Sequence, residues 1–171
     1  MDFRPLVALG ILGIASDGAL AAPALGNLTA ISVGGEHACA ITSGGGLKCW
    51  GANHWGQLGD GLQIARSVPG DVAGLTSGVV AVSAGHQQTC AVTSGGAVKC
   101  WGDNRDQRLR VGSSAEFVPT PTQVVGLESG IAAVATGVLS ACALTTTGGV
   151  KCWGLNVSGN LGDGTTIDRT A

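Results

Sequence analysis

The chain has 171 residues, room for one domain of ordinary size. Thirty glycines, 4% aromatic residues and 12% charged residues exclude long helices and an aromatic-rich core. The 44% apolar share at a net charge of −2 excludes disorder, and nine Lys and Arg against eleven Asp and Glu give no cationic field for nucleic acid. A small-residue, turn-rich, mostly β protein remains.

The amino end differs from the rest. Arg4 precedes an apolar run from Leu6 to Ala15, followed by Ser16, Asp17, Gly18 and Ala19-Leu20-Ala21. A short basic region, an apolar stretch of this length and an A-x-A site predict a signal peptide over residues 1–21, cleaved before Ala22. The competing reading is an irregular N-terminal strand, and Asp2 weakens the basic region. The run is too short to span about 30 Å of hydrocarbon. Export is therefore expected, to a secreted, periplasmic or cell-surface location. A cytoplasmic one follows if the leader is not a signal.

Six cysteines fall as Cys39 and Cys49, Cys90 and Cys100, Cys142 and Cys152, each pair spaced C-x9-C. An even number in regular pairs suits an oxidising compartment. Zinc is the competing reading. It lacks any C-x2-C pair, and only His37, His54 and His86 could add nitrogen ligands.

Three segments, Cys39 to Gly51, Cys90 to Gly102 and Cys142 to Gly154, share one frame, Cys-Ala-aliphatic-Thr running on to Lys-Cys-Trp-Gly, at offsets of 51 and 52 residues. Asn53, Asn104 and Asn156 recur two residues after the Trp-Gly glycine. The repeat divides residues 22–171 into units over about 26–75, 76–127 and 128–171, and a period near 50 marks propeller blades or arrays. Within each unit, runs such as Val79 to Ala84 and Ile131 to Ala135 predict strands closed by Gly85 and Gly137. Thr93-Ser94-Gly95-Gly96 predicts a hairpin turn that sets Cys90 opposite Cys100, Ala91 opposite Lys99 and Val92 opposite Val98. A modest twist lets opposed positions close a disulfide, worth somewhat under about 3 kcal/mol for so short a loop. Alternation puts Cys90, Val92, Val98 and Cys100 on one face and Ala91, Lys99 and Trp101 on the other. Lys48, Lys99 and Lys151 occupy one repeat position, read either as a ring of charge for an acidic ligand or as solvated strand positions.

Gly34-Gly-x-His37-x-Cys39-Ala40, Leu47-Lys-Cys-Trp-Gly51, Asn53-x-x-Gly56-Gln-Leu-Gly-Asp-Gly61 and Arg66-x-x-Pro69, echoed by Asn156 to Gly164 and Arg169, resemble the regulator of chromosome condensation repeat. The cysteine-containing form resembles the exported bacterial branch of that family. The resemblance implies an all-β fold, a β-propeller of about seven four-stranded antiparallel blades, of which about three are present. The chain stops at Ala171, before a counterpart of Pro69, so the third unit is expected to lack its last strand. A gene fragment, an incomplete gene model or self-association of an incomplete propeller would follow. The second unit departs from the pattern, with Gln107-Arg108-Leu109-Arg110-Val111-Gly112 where the first has Gly-Gln-Leu-Gly-Asp-Gly. Arg105, Arg108 and Arg110 there read either as a binding loop or as drift in a degenerate repeat.

No G-x-S-x-G, H-E-x-x-H, phosphate loop or dinucleotide fingerprint occurs, so no enzyme and no cofactor are expected. His37 and Cys39 are a poor base–nucleophile pair, because Cys49 is the better partner for that cysteine. Gly59-Asp60-Gly61 and Gly162-Asp163-Gly164 lack the oxygen ligands of a calcium loop and predict Asx turns. Asn27-Leu-Thr29 and Asn156-Val-Ser158 match the glycosylation sequon. Trp55, beside His54, has no repeat partner and is a partner-binding candidate on a loop, with packing onto the next blade as the alternative. The resemblance implies a non-enzymatic, exported propeller that binds an unidentified protein through its loop face. The alternatives are guanine-nucleotide exchange for a small GTPase and a structural repeat of the cell surface.

Overall fold

The computed structural model describes residues 26–170, so the leader expected over residues 1–21 lies outside the described residues. Eleven strands follow one another as antiparallel meanders. The first blade is β1 (Leu28–Val33), β2 (His37–Thr42), β3 (Leu47–Gly51) and β4 (Arg66–Asp71). The second is β5 (Val79–Ala84), β6 (Gln88–Thr93), β7 (Val98–Asp103) and β8 (Phe117–Gln123). The third is β9 (Ile131–Thr136), β10 (Ser140–Thr145) and β11 (Val150–Gly154), followed by a single antiparallel bridge from Gly154 to Arg169. The fold is all-β, and each sheet lies within one repeat unit.

The hairpin register is the one that the turn chemistry predicts. Cys90 faces Cys100, Ala91 faces Lys99 and Val92 faces Val98, and the cysteine pairs of the other blades match in the same way. Cα separations of 4.0–4.1 Å let each pair close a disulfide, Cys39–Cys49, Cys90–Cys100 and Cys142–Cys152. Strand alternation then sorts the side chains between two inter-blade cores. One holds Cys39, Ile41, Leu47 and Cys49 of the first blade against Ala91 and Trp101 of the second. The other holds Cys90, Val92, Val98 and Cys100 against Ala143 and Trp153 of the third. At both blade boundaries among the described residues, the cysteine face of one blade meets the tryptophan face of the next.

The three Trp-Gly tryptophans recur in register but differ in burial: Trp101 and Trp153 are buried, while Trp50 is half-buried. Its face has no preceding blade among the described residues.

Candidate functional site

Meander topology places the β1–β2 and β3–β4 connections, and their repeats, at one end of the blades. The long connections after β3, β7 and β11 are built around a buried asparagine. Asn53 Nδ2 donates to Asp60 Oδ1 and to the carbonyls of Leu62 and Ile64, while its Oδ1 accepts from the Leu58 amide. Asn104 and Asn156 repeat the pattern through Ser113, Ala115 and Leu109, and through Thr165, Ile167 and Leu161. Asp60 and Asp163 accept from amides two residues on, as Asx turns, and pair with Arg66 and Arg169. Full burial and four hydrogen bonds take Asn156 out of reach of modification in the folded chain, whereas Asn27 is exposed.

In the second blade the loop keeps its path with different residues. Gly56 and Gly59 have φ of +75° and +72°, and their counterparts Gln107 and Arg110 hold the same left-handed region at +56° and +55°. Non-glycine residues enter that region at a cost of about 1–2 kcal/mol, so the asparagine frame imposes the conformation. The altered side chains gather on a buried carboxylate. Arg105 grips Asp103 with Nε to Oδ1 at 3.0 Å and Nη2 to Oδ2 at 2.8 Å, and Arg108 Nη1 reaches Oδ2 at 3.0 Å. Burial opposes ionisation of Asp103. Hydrogen bonds from Arg105 and the charges of Arg108 and Arg105 outweigh it, holding the carboxyl below its usual range.

Two of the sequence candidates meet here across the blade boundary. The Arg105 guanidinium lies 4.1 Å from the centroid of the Trp55 ring, a cation–π contact, and its Nη2 also reaches Gln87 Oε1 at 3.3 Å. Trp55 therefore combines both readings: it packs toward the next blade and remains only half-buried. His54 is exposed beside it. Next to Arg105 lies an open hollow of about 480 Å³, bordered by Asp106, Gln107, Ser114, Glu116 and Leu139.

Arg108 is not the surface cation that its loop suggested. It is 7% exposed, and its three nitrogens are used by Asp103, Asp106 and the Arg105 carbonyl. Arg110 is apart from the others, lining a separate hollow with Val125, Leu127, Lys151 and Trp153. Lys48 is paired with Asp71 at 2.7 Å.

The same end carries apolar side chains that the polar character of the loops concealed. Leu62, Ile64, Val138, Val157 and Ile167 are all at least half exposed, and all lie in connections at this end. Aliphatic residues set among Gly, Asp and Thr in a loop were the available signal.

Comparison with known proteins places these features in a family. The family model for the regulator of chromosome condensation (RCC1) repeat matches residues 45–92, and a second model of the same repeat matches 28–57, 79–108 and 131–160. The chain is 39% identical over 135 residues to the human E3 ubiquitin-protein ligase HERC2, covering 78% of this chain and 3% of that protein. Human Protein RCC2 is 32% identical over 137 residues, covering 78% of this chain and 26% of its own length. Among solved structures, human WBSCR16 superposes with a TM-score of 0.72 at 23% identity, over 83% of this chain and 36% of that one. Yeast RCC1 (Prp20) bound to Kap60 gives 0.72 at 21% identity, over 85% and 36%. The chain thus spans about a quarter or less of these curated relatives and just over a third of these structures.

Proposed function

Since this chain belongs to the regulator of chromosome condensation (RCC1) repeat family, we propose that it acts as an exported, disulfide-stapled propeller module that binds a protein partner through the loop end carrying Trp55 and Arg105. The observation that carries the reading is a clustering. An aromatic ring clamped by an arginine shares its connection with exposed Leu62 and Ile64, and buried asparagines hydrogen-bond the connections at this end. Aromatic and arginine residues dominate binding energy at protein interfaces, and contiguous exposed apolar surface marks such sites. Asp103 fixes the guanidinium, so little conformational freedom is lost when a partner arrives. Structures of yeast Prp20p are described with its binding to Gsp1p and histones, which is consistent with protein recognition by this fold. Three disulfides support an oxidising compartment rather than a cytosolic exchange role.

The test is site-specific photo-crosslinking from His54 in cells expressing the full chain. A discrete crosslinked protein is expected, reduced at least tenfold by Trp55→Ala or Arg105→Ala. A crosslink indifferent to both substitutions would remove this end from the account. No discrete crosslink would favour a structural repeat.

A further inference from the structure

At the loop end, the two blade boundaries carry different residues at the same repeat positions. At the first boundary the second blade supplies a cation. Arg105 lies over Trp55 of the first blade, reaches Gln87 Oε1 at 3.3 Å and is held by Asp103. At the second boundary the positions of Trp55, Arg105 and Gln87 are taken by Asp106, Val157 and Leu139. The chain supplies neither ring nor cation there. Instead the open hollow of about 480 Å³ lies between Asp106 and Leu139, and its walls come from two blades that are both within the described residues.

The charge of this hollow is the reverse of what its arginines suggest. Asp103, Asp106 and Glu116 stand against Arg105 and Arg108, which leaves one negative charge. Neither guanidinium is free to cancel it. Arg108 is 7% exposed with all three nitrogens used, and Arg105 is gripped by both oxygens of Asp103. The Glu116 carboxylate is exposed and has no ion-pair partner among the described residues, while its carbonyl is fixed by the Asn104 amide at 2.8 Å. Asp106 is 61% exposed and gives only Oδ2 to Arg108. Across the hollow, Leu139 is 37% exposed and offers an aliphatic wall. An apolar wall with a free carboxylate matches a side chain that has an aliphatic stem and a cationic head.

We propose that this hollow seats an arginine or lysine side chain of the protein partner, with its stem along Leu139 and its head toward Glu116 and Asp106. The proposal rests on the reading of this end as the partner-binding end, and it adds the chemistry of the partner. The incoming cation supplies at the second boundary what Arg105 supplies at the first. Charge-assisted bonds to carboxylates make such a side chain a strong anchor at an interface.

The experiment is an NMR titration of the isotope-labelled, oxidised full chain with N-acetyl-arginine amide, alongside its neutral isostere N-acetyl-citrulline amide. Saturable shifts are expected at the Asp106, Ser114, Glu116 and Leu139 amides. They should be smaller by roughly fivefold or more with citrulline, and likewise in Glu116→Gln. Glu116 is exposed, so circular dichroism of that variant should match the wild type. In cells, Glu116→Lys should reduce the crosslink from His54 by about tenfold. Silent amides at the hollow, or an equal response to citrulline, would overturn the proposal. A His54 crosslink that is lost on Trp55→Ala yet indifferent to Glu116→Lys would overturn it too, and would leave the reading of this end standing. Absence of any discrete crosslink from the wild type would strike that reading itself, and this proposal with it.

Discussion

His37 sits at the boundary of the first two blades at the end of a short relay. The Thr89 hydroxyl donates to the Gln57 carbonyl at 2.8 Å, so its oxygen accepts from His37 Nε2, also at 2.8 Å. Nδ1 is left buried with no partner. A proton there would create a buried cation without an acceptor, and burial lowers the pKa to about 4. The folded value lies below the unfolded one of about 6.5, so this contribution to stability is complete above that pH and is lost as pH falls toward 4. Between pH 7 and pH 4 the wild type should lose about 3 kcal/mol more than His37→Gln, the residue type that Gln88 supplies at this position in the second blade. Denaturant titrations at the two pH values measure the difference. Equal losses would contradict the relay. His37 stood out in the sequence because Gln88 and Ser140 replace it, but its burial did not, because Thr89 lies 52 residues away. The grip of Asp103 on Arg105 and Arg108 was equally hidden. Three arginines in one loop suggested free charge, whereas the buried carboxylate at the end of β7 takes up two of them.

Among the elements, the hairpins were the most legible, for a local reason. Alternation has a period of two, the glycine turn fixes the register, and together they determine which cysteine meets which. The long connections were legible only as motifs. The recurrence of Asn53, Asn104 and Asn156 was plain, but each closes a loop through carbonyls 9 and 11 residues on, which spacing alone does not reveal. The second blade shows how much that frame accomplishes. It holds Gln107 and Arg110 in the region that glycine occupies elsewhere, so surface chemistry changed while the path did not. Asn53→Ala should therefore destabilise the fold by about 2–4 kcal/mol, because it leaves buried loop groups unpaired. Thermal unfolding reads this directly. A loss under about 0.5 kcal/mol, the scale of an ordinary surface substitution, would contradict the role.

At the scale of the molecule, a core poor in aromatic residues is divided into thin layers between blades, each blade stapled by one disulfide. A bridge closing so short a loop contributes somewhat under about 3 kcal/mol, and three of them offset the small apolar side chains. The repeat made the stack readable from sequence, since a period near 50 with short strands admits few architectures. Which faces stay open was not readable, because Trp50 and Trp101 sit in the same local sequence and differ only in what packs against them. The account as a whole rests on an oxidised, exported chain, and intact-mass spectrometry of the protein recovered from an oxidising compartment tests it most directly. The predicted product begins at Ala22 and is six hydrogens lighter than its reduced form. A full-length product with six free thiols would contradict the account and bring the cytosolic exchange reading forward.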